Sequence, residues 1–197
     1  MTAGDERAAR PADLERASRA VVEFLAALGY DTSVDRLAGT PERVAAALAQ
    51  LLRPEPLPPT TLMPAETGGA VIVRDLPFQS LCEHHLLPFR GVAHLGYLPG
   101  EGIVGLSTLA RIVTVEASDL QIQERLTEAI ADRLQAELAP RGVGVILEAE
   151  HLCMSLRGFG LPTSRVVTSA FRGALTTLEP GADTGSGTAS GTTGRSG

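Results

Sequence analysis

Apolar positions recur with helical spacing from Asp13 onward. Leu14, Ala17, Val21, Leu25 and Leu28 fall on one face, and Gly29 is a natural stop after them. A second helix is expected from Thr40-Pro41, with Thr40 as its cap, Pro41 at its first position, and Val44, Leu48 and Leu51 turned inward. Residues 54 to 64 contain five prolines and read as an extended connector. The period then changes. Ala70 to Val73 and Gly91 to Leu98 read as strands, with Arg74 to Leu81 leading out of the first and Pro99-Gly100-Glu101-Gly102 as a turn after the second. Gly105-Leu106-Ser107 opens a helix with Ser107 as cap, and Ser118-Asp119-Leu120-Gln121 resembles a capping box. The helix after that box carries Leu126, Ile130, Leu134 and Leu138 as a buried stripe and ends at Pro140. Val143 to Glu150, continuing through Met154, and Arg165 to Leu175 are the last two strands. Pairs of strands separated by a pair of helices argue for an α+β fold with an antiparallel sheet. The edges of such a sheet invite self-association.

That pattern sets four segments: a disordered start at 1–12, a helical segment with its Pro-rich connector at 13–64, an α+β domain at 65–178, and a flexible Gly/Ser/Thr tail at 179–197. A chain of 197 residues buries one ordinary core. No apolar run approaches the ~20 residues of a membrane span, and residues 1 to 10 carry no apolar signal core, so a cytoplasmic location and no membrane partner are expected. A net charge of −6 argues against binding nucleic acid through a broad basic face. The chain has no lysine, so a site for an anion has only arginine to draw on.

Candidate chemistry is concentrated in two places. Cys82-Glu83-His84-His85 and His151-Leu152-Cys153 hold both cysteines and three of the four histidines. Cys82-x2-His85 places two soft ligands on one turn, and Cys153 offers a third. Three ligands leave the fourth position of a tetrahedral Zn²⁺ open for water, the catalytic pattern; His84 or His151 as a fourth ligand would make the site structural. A disulfide suits a cytosolic protein poorly. Ser107 with Arg111 one turn on suits an anion at a helix N-terminus, and equally describes a capped surface helix with a solvated arginine. Glu83 is either a partner orienting a ligand or a turn residue.

Together these motifs resemble the GTP cyclohydrolase I family. The matching stretches are Thr40-Pro41-Glu42-Arg43, Cys82-Glu83-His84-His85, Arg90 through Pro99, Gly105-Leu106-Ser107, Arg111-Ile112-Val113, Gln121 through Leu126, His151-Leu152-Cys153 and Arg157-Gly158, with Thr168-Ser169-Ala170 and Arg172-Gly173 in the last strand. The resemblance implies a tunnelling fold, an antiparallel four-stranded sheet with two helices on one face, preceded by the N-terminal helical segment. It implies a toroidal homodecamer of two pentamers with active sites between subunits. It also implies a zinc-dependent conversion of GTP to 7,8-dihydroneopterin triphosphate, with opening of the guanine imidazole ring at C8 and loss of formate. By position, Cys82, His85 and Cys153 would bind Zn²⁺, and His84 and His151 would be the acid/base residues. Gln123 and Glu124 would bind substrate, Glu124 holding the guanine, while Ser107, Arg43, Arg111 and Arg157 would face the triphosphate. The chain departs from the family at Thr108 and Ala46, where lysines are usual.

Overall fold

The computed structural model describes residues 11–53, 56–65, 68–157 and 164–178. Of the disordered start expected at 1–12, residues 1–10 lie outside them, as does the expected tail at 179–197.

Helix α1 (Leu14–Ala27) starts where the Asp13 carboxylate accepts from the Arg16 backbone N–H at 2.9 Å. It ends in the left-handed residue Gly29, φ 85°. There the Gly29 N–H donates to the Ala26 carbonyl and the Tyr30 N–H to that of Leu25, which satisfies carbonyls the helix end leaves open. Helix α2 (Thr40–Leu51) is capped one residue earlier than expected, by Gly39; Thr40 is already helical, and its hydroxyl accepts from the Arg43 guanidinium. Pro41 and Ala45 are its buried residues. Leu51, expected inward, is exposed. The two helices pack on each other, and no residue of α1 is fully buried.

The connector supplies a short strand, β1 (Met63–Pro64), paired antiparallel with β4 (Gly102–Ile103). Among the described residues the main sheet has five strands rather than the expected four. Strands β2 (Val71–Cys82), β3 (Pro88–Leu98), β6 (Gly142–His151) and β7 (Val166–Gly173) are antiparallel neighbours in that order. The fifth, β5 (Leu120–Gln121), lies parallel to the end of β2. It occupies the sequence that resembled a capping box. There Ser118 donates to the Thr114 carbonyl and Asp119 accepts from the Leu120 N–H, so neither side chain caps a helix.

Strand β2 is one strand where the sequence suggested a strand and a lead-out. An irregularity interrupts its pairing with β3: Val73 faces Leu95, but the next pair is Leu76 with Ala93. The extra residue is a β-bulge, and Asp75 within it has φ 58°, with its N–H donated to His94 Nδ1 at 3.2 Å.

Helices α3 (Leu106–Ala117) and α4 (Gln123–Leu138) cover one face of the sheet. The stripe Leu126, Ile130, Leu134 and Leu138 is buried, as its spacing requires. It meets Val143, Val145, Leu147 and Ala149, alternate residues of β6 that are wholly enclosed. A smaller cluster of Leu98, Leu175 and Leu178, with Ile146 and Phe171 packed against it, lies apart from that core. The result is a mixed α+β architecture whose sheet brings the ends of β2 and β6 together across β3.

Candidate active site

Cys82 is the last residue of β2. The chain then turns sharply. The Leu86 N–H returns to the Cys82 carbonyl at 2.9 Å, and Leu86 itself takes φ 53°. The Cys82 N–H donates to the Leu87 carbonyl and the Glu83 N–H to that of Gln121, so β5 supports the turn from the side. On the other strand, register sets the geometry: His151 is the partner of Phe89, the second residue of β3. The chain leaves β6 at His151 and winds one helical turn, α5 (Leu152–Ser155). Cys153 therefore sits on a helical turn and not on a strand as the sequence suggested.

These two turns bring together Cys82, His85 and Cys153, whose ligand atoms all lie within 4.8 Å of one another. Cys82 Sγ is 3.6 Å from His85 Nδ1. Two thiols and an imidazole converging in this way could hold a transition-metal ion. Burial and the neighbouring Cys82 push the Cys153 thiol above its ordinary range, while the Arg157 charge opposes the rise. Metal binding would draw off the Cys153 proton that burial retains. Among the described residues the cluster holds these three donors, without His84 or His151.

His84 is exposed on the turn, edge-on to His85. Its Nε2 lies 3.5 Å from a Glu83 oxygen. The other Glu83 oxygen accepts from Arg125, which holds that carboxyl below its ordinary range. Glu83 thus links Arg125 and His84, which is not one of the three clustered donors, and no hydrogen bond or ion pair among the described residues joins Glu83 to Cys82, His85 or Cys153.

His151 stacks flat on Phe89, centroids 4.7 Å apart and planes at 3°. Burial pushes its pKa down, against the Glu124 charge, which favours the cation. Its Nε2 lies 2.7 Å from Gln123 Oε1. Gln123 is 1% exposed at the first turn of α4, and its amide nitrogen donates to Leu147, Val166 and Thr168. Glu124, the next residue, is exposed.

The expected phosphate-facing groups are not gathered in the same way. Arg157 lies beyond α5, close enough to Cys153 for its charge to act there. Ser107 and Arg111 are exposed on α3, whose cap is Gly105 and not Ser107, with no side-chain capping bond. Arg43 is on α2. Among the described residues no hydrogen bond or ion pair ties Arg43, Ser107 or Arg111 to the Cys/His cluster. Phe89, Arg125, Thr127 and Thr168 were absent from the sequence-level site. Arg125 and Thr168 lie inside the matching stretches and Phe89 and Thr127 beside them, yet no role could be read for them, because cross-strand and helix–sheet contacts are not written in local spacing.

The family model described as GTP cyclohydrolase I matches residues 17–182. A protein of Thermobifida fusca named GTP cyclohydrolase 1 is 48% identical over 170 residues, spanning 83% of this chain and 82% of that protein. Proteins of the same name from Mycobacterium leprae and Mycobacterium tuberculosis are 46% and 45% identical over 171 residues; each alignment spans 84% of this chain, and 83% and 85% of those proteins. Among solved structures, an apo archaeosine synthase QueF-Like aligns with 56% of this chain and 100% of its own, at 14% identity and a TM-score of 0.44.

Proposed function

The chain belongs to the GTP cyclohydrolase I family, and from that premise we propose that it is a zinc-dependent enzyme. It opens the imidazole ring of GTP at C8, releases formate, and rearranges the product to 7,8-dihydroneopterin triphosphate. The observation that carries this reading is the convergence of Cys82, His85 and Cys153 beside two histidines outside the ligand set.

The donor set fits zinc. A tetrahedral ion with Zn–S near 2.3 Å and Zn–N near 2.0–2.1 Å has an S···N edge of roughly 3.6 Å, and the Cys82 Sγ to His85 Nδ1 separation is 3.6 Å. When bound, zinc supplies Lewis acidity that activates water near neutral pH. His151, held flat on Phe89, takes a proton from the attacking water and passes it to the imidazole nitrogen of guanine, which makes C8 electrophilic. His84, solvent-exposed beside ionised Glu83, exchanges protons during the later rearrangement. The Glu124 carboxylate accepts from N1–H and the 2-amino group of guanine, a donor pair adenine lacks. Arg157, Arg43 and Arg111, with Ser107, face the triphosphate; each well-placed guanidinium–phosphate contact contributes about 1.5–3 kcal/mol.

Several of these groups sit apart in one chain, which supports a site completed by a second copy within a homo-oligomer, a decamer of two pentamers, built on the tunnelling fold and working in the cytoplasm. Phe24, Leu28 and Tyr30, exposed on and after α1, are apolar surface for such assembly. No helix among the described residues is long and apolar enough to cross a membrane. Thr108 and Ala46 favour a second reading, a guanine nucleotide with fewer phosphates or an arrested intermediate, because the positive charge usual at those positions is missing.

Zinc-loaded protein given GTP is expected to release formate and yield a pterin fluorescent after oxidation. His151→Ala should lower kcat roughly 10²–10⁴-fold, the contribution of a positioned acid or base. Absence of any pterin at one zinc per chain would overturn the assignment, and comparison of GTP, GDP and GMP would then test the second reading. Zinc affinity should also depend on pH. The Cys153 proton, held by a raised pKa, must leave when the metal binds. Apparent affinity should therefore fall about tenfold per pH unit on acidification from this thiol alone. Competition with a chromophoric chelator across neutral pH measures the slope, and a flat profile would contradict a thiolate ligand.

A further inference from the structure

The amide of Gln123 has only one orientation open to it. As placed, its nitrogen lies 3.1 Å from the Leu147 carbonyl, 2.9 Å from that of Val166 and 3.1 Å from the Thr168 hydroxyl. Turned over, its oxygen would face two backbone carbonyls at those distances, with no hydrogen between them. Two residues behind it complete the same directional order. The Thr127 hydroxyl donates to the Gln123 backbone carbonyl at 2.7 Å, as a helical residue can to the turn before it. Its one hydrogen is then used. Across the 2.6 Å gap between the two threonine hydroxyls, Thr168 must therefore be the donor and Thr127 the acceptor. Thr168 keeps its lone pairs for the Gln123 amide.

With the amide fixed, its carbonyl oxygen faces the ring at 2.7 Å from His151 Nε2. An amide oxygen has no hydrogen to give, so Nε2 must carry one. We infer that Gln123 is a positioning residue: wedged between α4, β6 and β7, it holds His151 as the Nε2–H tautomer and so makes Nδ1 the nitrogen presented for proton transfer. The Phe89 ring fixes the plane of the imidazole, and Gln123 fixes its rotation within that plane. The sequence-level expectation that Gln123 binds substrate is replaced by one in which it reaches substrate only through His151. This inference rests on the catalytic role proposed for His151, but its first readout does not require turnover.

The experiment is ¹⁵N spectroscopy of zinc-loaded protein labelled at histidine, with the His151 signals identified by their loss in His151→Ala. The wild-type protein should show a protonated Nε2 and an unprotonated Nδ1 in the neutral ring. In Gln123→Met, of similar size but without the carbonyl, the Nδ1–H form should appear. There kcat should fall roughly 10–100-fold, the range seen when hydrogen-bond partners that orient site histidines are removed, with little change in KM. Thr168→Val leaves both backbone carbonyls on the amide and should keep the wild-type tautomer even if stability drops, which separates positioning from simple packing. A wild-type His151 found as Nδ1–H overturns the inference even if no variant folds. So does Gln123→Met with unchanged tautomer and kcat. An Nε2–H ring in a protein that does not turn over GTP would keep the positioning and remove the cyclohydrolase reading; turnover with an Nδ1–H ring would do the reverse.

Discussion

Cys153→Ala is expected to leave the protein folded but without zinc and without turnover of GTP. The three donors contribute unequally exposed groups: Cys82 is buried at the end of β2, whereas Cys153 is half-buried on the single turn of α5. Cys153 packs against the edge of the main core and is only half-buried, so its truncation removes a single sulfur from that contact and the thermal midpoint of the metal-free protein should fall only slightly. Binding is another matter. Four-ligand zinc sites are worth about 10–16 kcal/mol in all, so one thiolate supplies about 3–4 kcal/mol. Its loss weakens affinity by roughly 10²–10³-fold. Metal content after gel filtration, together with a chelator titration, reads the effect. Retention of one tightly held zinc per chain by the variant would show that the ion, if it binds, sits elsewhere.

Gly91→Ala should be among the most damaging single substitutions in the chain. A Cβ at residue 91 would lie 1.8 Å from the Glu148 carbonyl oxygen and 2.7 Å from Ala149 Cα. Both are backbone atoms of β6, and neither can rotate away. β3 runs between β2 and β6, so relief requires spreading the centre of the sheet. Overpacking of a tight interior costs about 1–3 kcal/mol and occasionally more. A clash with backbone belongs at or above the top of that range, a large part of the ~5–15 kcal/mol by which domains are stable. Gly96→Ala is the control. Its new Cβ meets the end of the Leu178 side chain at 2.5 Å, a contact that a rotamer change can relax. Urea midpoints of the two variants should differ clearly, with Gly91→Ala far lower. Equal midpoints would mean that the β3–β6 pairing yields more easily than the backbone contacts allow.

What could be read from the sequence depended on whether a feature was local. The stripe from Leu126 to Leu138 is a repeat along one helix, and it was legible to the residue. The convergence of Cys82, His85 and Cys153 was legible through scarcity, because both cysteines fall in two short motifs. Boundaries fixed by distant partners were not. Leu120-Gln121 joins the sheet because the end of β2 offers it a free edge, and nothing in Ser118-Asp119-Leu120-Gln121 distinguishes that from the start of a helix. Ser107 has the chemistry of a cap, yet the backbone enters the helix at Leu106. Gln123 looked like one more polar group in a motif. Its direction, inward to two carbonyls, depends on how α4 lies over β6 and β7, which local spacing does not encode. The arginines proposed for phosphate lie on separate elements, Arg43 on α2, Arg111 on α3 and Arg157 after α5, and no local repeat links them.

The bulge at Asp75 settles which way Cys82 points. Before it, Val71 and Val73 look toward the helices; after it, Leu76, Phe78, Ser80 and Cys82 do, so the inward residues pass from odd to even numbers. Strands keep count by twos, and this one skips a beat seven residues ahead of Cys82. A loop can gain or lose a residue over evolutionary time at small cost. The loss of one residue here would invert the parity of everything between the bulge and the turn, and would deliver the thiol to the opposite side of the sheet. A lineage that keeps Cys82 beside His85 and Cys153 is therefore bound to preserve an irregularity that lies outside the cluster itself. Of the length changes a gene can undergo, those at this unremarkable spot are among the least forgivable.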